Sequence, residues 1–104
     1  MSSQFGDKIR TLREEQNLLL RQVASILEID TALLSKIERG ERQAKKEIVI
    51  RVAKILKTKA EELLTLWLAD KVYKLVEEEQ FGYAALILAE EKVEYTKKIK
   101  NEKK

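Results

Sequence analysis

Apolar residues recur at spacings of three and four along almost the whole chain, and no proline interrupts them in 104 residues. That pattern marks one face of a helix after another. Proline and glycine are the usual punctuation of loops and turns, so three glycines and no proline leave helices joined by short links. No alternating stretch is long enough to compete as a strand. The chain is predicted to be all-α, with length for a single modest core.

Helix ends are legible in places. The first helix runs from about Gln4 to Gln16 and presents Phe5, Ile9 and Leu12 on one side. Ser3 is its expected N-cap, Asp7 suits its dipole, and Asn17 is a left-handed stop. A second helix, about Leu20 to Leu27, offers Val23, Ala24 and Leu27 to a core. After Glu28-Ile29, Asp30 is the expected cap of a third helix, about Thr31 to Arg39, which buries Leu34 and Ile37 and stops at Gly40. A fourth, about Lys46 to Leu56, presents Val49, Val52, Ala53 and Leu56. A fifth starts near Ala60 and can run to Glu79; a sixth follows Gly82, from about Tyr83 to Ile99.

Composition narrows the chemistry. Without cysteine or histidine there is no disulfide, no thiolate metal site and no imidazole base. Nor do the remaining residues form a nucleophile–base pair or a phosphate-cradling glycine loop, so the chain reads as non-enzymatic, with no cofactor and no metal. The longest uncharged stretch, Gln80 to Ala89, is about half of the roughly 18 residues that a membrane span requires. No apolar signal core opens the chain, and a cytoplasmic protein without a membrane partner is expected.

The net charge of +3 is unevenly distributed. Residues 1–40 are neutral, 41–60 carry +5, 61–79 carry −4, 80–96 carry −2, and 97–104 carry +4. A basic patch therefore follows the third helix directly, and an acidic segment follows that.

The stretch Gln22 to Gly40 places two short helices around a tight turn, as a helix-turn-helix does. Ala24 is small where the helices approach, Ile29 plugs the turn, and Leu34 and Ile37 pin the second helix to the core. Thr31, Ala32, Ser35 and Lys36 are left pointing outward, short side chains and one long cation suited to a helix lying in the ~12 Å major groove of DNA.

From Ile9 to Leu64 the chain resembles the Cro/lambda-repressor-type (XRE) helix-turn-helix family. The matching elements are Ile9-Arg-x-Leu-Arg-Glu-Glu15, Val23-Ala-x-x-Leu27-x-Ile29, Leu34-Ser-Lys-Ile-Glu-Arg-Gly40, Val52-Ala-Lys-x-Leu56 and Glu61-Glu-Leu63. The resemblance implies a five-helix lambda-repressor-like DNA-binding domain, working as a dimer on double-stranded DNA. It places base reading on Thr31, Ala32, Ser35 and Lys36, and a phosphate contact on Arg39, with Arg42, Lys45 and Lys46 beside it. It also implies an ion pair between Arg13 and Glu38 that fixes the recognition helix.

The sequence departs from the family in four places. Leu19 and Leu20 stand where a Ser or Thr cap and a Gln usually present donors to a phosphate; Arg21 and Gln22 lie close enough to replace them. Glu28 occupies a turn position that is often glycine. Ala44 and Lys45 replace a frequent Pro-Ser before the fourth helix. The recognition face has no Arg, Asn or Gln, which predicts modest direct readout and a larger share for phosphate contacts and DNA shape.

The family domain is expected to close at residue 67, leaving 68–104 as a helical extension with a frayed lysine-rich tail. Two apolar sides on each late helix exceed what one small core can cover. Leu64, Trp67, Leu68, Val72, Leu75, Leu86 and Val93 are the expected homodimer interface, although helix six can instead pack on helix five within one subunit. The expected function is that of a sequence-specific transcriptional regulator, a repressor, with a restriction–modification controller and an antitoxin-like autorepressor equally compatible. The alternative is a protein-interaction module on the same scaffold, with weak or no operator specificity.

Overall fold

A computed structural model describes residues 3–102. Six helices follow in order: α1 (Gln4–Glu15), α2 (Leu20–Leu27), α3 (Thr31–Glu38), α4 (Lys46–Ile55), α5 (Ala60–Val76) and α6 (Gly82–Glu102). Among the described residues there is no strand. The chain divides into two compact units, Met1–Asp70 and Lys71–Lys104.

In the first unit, one stop is used four times. Asn17, Glu28, Gly40 and Lys57 all have positive φ, between 56° and 77°. Each lets the following N–H reach back five residues: Leu18 to the Arg13 carbonyl, Ile29 to Ala24, Glu41 to Lys36 and Thr58 to Ala53, at 2.9–3.1 Å. These bonds satisfy carbonyls that a helix end would otherwise orphan. Only one of the four residues is glycine, and an L side chain in this conformation costs about 1–2 kcal/mol. The stops at Asn17, Glu28 and Gly40 are the expected ones; Lys57 carried no signal beyond the end of an apolar pattern.

Helix starts are less uniform. The Ser3 hydroxyl accepts from the Gly6 N–H at 2.8 Å, as expected of a cap. Asp30 occupies the cap position of α3, but its side chain makes no capping hydrogen bond. That expectation is corrected: Asp30 contributes only its extended backbone.

The core joins Phe5, Ile9, Val23, Ala24, Leu27, Leu34, Ile37, Val49, Val52, Ala53, Leu56 and Leu63, with Ala44 from the loop before α4. Burial of the apolar face, at about 1.5–3 kcal/mol for each large side chain, holds helices this short in place. α1 and α3 come close together at Gly6, where a Cβ would collide with the Glu38 carbonyl oxygen and lie 2.7 Å from that of Ile37. Glycine weakens a helix interior by about 1 kcal/mol, and here it is what admits the neighbouring backbone.

Polar contacts close the unit. Both carboxylate oxygens of Asp70 accept from the start of α1, from the Gln4 N–H at 3.0 Å and the Phe5 N–H at 2.9 Å. Trp67 Nε1 donates to the Ala44 carbonyl at 2.8 Å, and Gln16 Nε2 donates to that of Leu56 at 2.7 Å.

The second unit holds the last turns of α5 and all of α6. α5 ends at Val76, earlier than the expected Glu79. Gly82 begins α6 and is buried, because a Cβ there would meet the Val76 carbonyl. α6 continues through Glu102, past Ile99 where the sequence placed its end, and Lys103 and Lys104 lie outside the described residues. Most of its apolar side chains are open: Val93 is 66% exposed, Leu86, Ile87, Leu88 and Tyr95 are exposed with it, and Ile99 is half-buried. Among the described residues no helix is long and apolar enough to cross a membrane.

Candidate nucleic-acid interface

α2 and α3 form the helix-turn-helix. Ala24 is buried at their crossing, Ile29 is half-buried in the turn, and the left-handed Glu28 bends the chain between them. Leu34 and Ile37 hold α3 from beneath. On its other side Thr31, Ala32 and Lys36 are exposed, and Ser35 is half-buried. The four residues expected to read bases thus share an outward face, with Ser35 the least accessible.

What orients this face is the link from α1. Arg13 Nε donates to Glu38 Oε2 at 2.7 Å, and its Nη2 donates to Oε1 at 2.9 Å, a two-pronged pair. The third prong, Nη1, donates to the Leu18 carbonyl at 2.9 Å. Glu38 is only 6% exposed. The Glu38 hydrogen bond raises the Arg13 pKa above its ordinary value, against the lowering effect of burial. A guanidinium so enclosed fixes α3; it has little surface left for a phosphate.

At the start of α2, Leu19 cannot cap. Gln22 reaches back instead, its Oε1 accepting from the Leu19 N–H at 2.7 Å. This is the reverse half of a capping box. It occupies the Gln22 oxygen and leaves the amide nitrogen as the group that can face a phosphate, next to the exposed Arg21. Leu19 is 48% exposed and Ile26, also on α2, is 58% exposed.

The basic segment from the end of α3 to the first residue of α4 carries Arg39, Arg42, Lys45 and Lys46, all exposed. Arg39 is held in place on two sides, by the Ser35 carbonyl at 3.3 Å and by Glu41 Oε2, 2.8 Å from its Nη1. Between Arg42 and Lys45, Ala44 turns inward to the core and is tethered by Trp67. A small buried residue thus sits where the family often has proline, and the cations on either side stay outside. Not all of the +5 segment belongs to this surface. Arg51 donates to the Leu27 and Ile26 carbonyls at 3.2 and 3.0 Å, closing the C-terminal end of α2.

Several of these positioning residues left little trace in the sequence. Asp70, Gly6, Ala44 and Arg51 act through partners 23 or more positions away, so local patterns do not reveal them. Among the described residues no group of three or more acidic side chains is placed to hold a metal ion. Of the residues expected at a subunit interface, Leu64 and Trp67 are half-buried against the first unit's core, so only their remaining surface is open. Leu68, Val72, Leu75, Leu86 and Val93 are exposed.

Comparison with known proteins agrees with this geometry. Residues 4–66 match the family described as "Helix-turn-helix domain". Over 61 residues the chain is 38% identical to the HTH-type transcriptional repressor RghR of Bacillus subtilis (strain 168), a match covering 58% of this chain and 45% of that protein. The similarity therefore spans less than half of that repressor's length. No solved structure matches the chain.

Proposed function

The chain belongs to the helix-turn-helix domain family, and from that premise we propose that it is a DNA-binding transcriptional regulator, a dimeric repressor that lays α3 in the major groove. The observation that carries this reading is the two-sided character of α3. Leu34, Ile37 and Glu38 are locked inward, while Thr31, Ala32 and Lys36 stand exposed beside four cations. Thr31 and Ala32 suit thymine methyl groups, and Lys36 reaches guanine O6 or N7. Arg39, Arg42, Lys45 and Lys46 supply the phosphate contacts, together with Arg21 and the Gln22 amide at the start of α2. Similarity to a transcriptional repressor supports the regulatory role.

Dimerisation belongs to the same reading. The exposed Leu68, Val72, Leu75, Leu86 and Val93 are apolar surface that a second copy covers, and two recognition helices about 34 Å apart meet successive major grooves. Restriction–modification control and antitoxin-like autorepression both remain compatible with these residues. Exposed Leu19 and Ile26 favour a second reading, in which α2 docks another protein.

Selection from a random DNA library followed by a gel-shift assay separates the two. The regulator enriches a defined half-site, and both Lys36→Ala and Arg39→Ala lose affinity for it. An interaction module enriches nothing, and neither substitution matters.

A further inference from the structure

We infer that α6 pairs with the α6 of a second copy, and that the two helices run antiparallel. The inference rests on the dimeric reading above and adds the orientation. Leu86, Ala89, Val93 and Thr96 recur at spacings of three, four and three, and so form one seam of α6. Leu86 and Val93 are exposed, as are the two small residues between and after them. A shallow groove follows this face past Ala89, Val93 and Thr96, edged by Lys92, Lys97 and Lys100.

The charges beside the seam choose the direction. Glu90 and Lys97 lie on one flank, each following a seam residue, and Lys92 lies on the other. All three are exposed. In a parallel pair the opposite flanks of the two helices meet, bringing Lys92 of each copy to Lys97 of the other. Like charges in such positions oppose pairing. In an antiparallel pair each flank meets its own counterpart, and Glu90 of each copy lies across from Lys97 of the other. Two attractive pairs then replace two repulsive ones, with the two-fold axis passing near Val93 and Glu94. The neighbouring apolar stripe of Leu88 and Tyr95 has the same polarity, with Glu91 preceding Lys98. Either stripe therefore favours the antiparallel arrangement.

A spin label on Ala85→Cys tests this in the full chain. The protein has no cysteine of its own, and Ala85 is exposed. At a rise of 1.5 Å per residue, antiparallel pairing about Val93–Glu94 places the two labels about 27 Å apart. Parallel pairing places them near the interhelical distance of about 10 Å. A separation near 27 Å supports the inference. A short separation overturns the orientation and leaves dimerisation standing, and any other separation overturns the α6 pairing. A monomer by sedimentation overturns the dimeric reading itself. As a second arm, Lys97→Glu weakens the dimer about tenfold, and adding Glu90→Lys to it restores the dimer. An unchanged dissociation constant for Lys97→Glu overturns the pairing.

Discussion

Arg13 and Glu38, twenty-five residues apart in the chain, meet between α1 and the end of α3 in a two-pronged ion pair of 2.7 and 2.9 Å. The Glu38 side chain is almost fully enclosed and that of Arg13 is 13% exposed, so neither charge is well solvated. Removing one partner strands the other. Glu38→Ala is expected to cost about 3–5 kcal/mol in a denaturant titration. Replacing both residues with apolar side chains of similar size should recover much of that loss, because the uncompensated charge disappears as well. Equal stability of Glu38→Ala and the parent would remove the pair from the account.

Gly6 predicts a different failure. A methyl group there would collide with the Glu38 and Ile37 carbonyls, which are backbone atoms of α3 and cannot swing aside. Gly6→Ala gains helix propensity in α1 yet should destabilise by roughly 2 kcal/mol or more, as overpacking does. Because α3 must shift to accommodate it, DNA affinity should fall further than the lost stability explains. Thermal melting and a binding titration on the same sample check both parts.

The left-handed stops offer a gain instead. Lys57 has φ 56° and is exposed, and none of its side-chain atoms makes a hydrogen bond or ion pair among the described residues. Lys57→Gly relieves the strained conformation and should stabilise by about 1 kcal/mol. The measurement is the shift in the denaturant midpoint at constant slope. A loss of stability would mean that the conformation is not strained.

Asp70 carries a prediction about the first helix. Its carboxylate takes two of the N–H groups that α1 leaves unpaired at its start. Asp70→Ala should cost about 1–2 kcal/mol, and hydrogen exchange should quicken at Gln4 and Phe5 before the rest of the unit. Uniform exchange across α1 would assign Asp70 no capping role.

These residues also show what one chain of letters reveals. Helix number and the faces of α1 to α4 follow from apolar spacing, because each short helix needs a buried stripe to persist. Asn17, Glu28 and Gly40 are visible as stops because each falls where a pattern pauses. Asp70 is invisible: within α5 it looks like any solvated carboxylate, and its purpose depends on a helix start more than sixty positions earlier. Asp30 shows the converse, a residue type that suits a cap and does not use its side chain as one. The +5 segment was legible as a sum but not as a surface, since Arg51 turns to the end of α2 while Arg42, Lys45 and Lys46 stay outside. Arg39 was legible as a cation beside the recognition helix, whereas its bond to Glu41 is a matter of geometry.

The salt dependence of binding to a selected DNA site tests the central claim most directly. If Arg39, Arg42, Lys45 and Lys46 contact phosphates around α3, the logarithm of the affinity falls linearly with the logarithm of salt concentration. Arg39→Ala should make that slope shallower by about 1. Lys36→Ala should lower affinity for the selected site more than for unrelated DNA. Affinity that hardly changes with salt, or slopes that are identical for the parent and Arg39→Ala, would contradict the assignment of this surface to DNA.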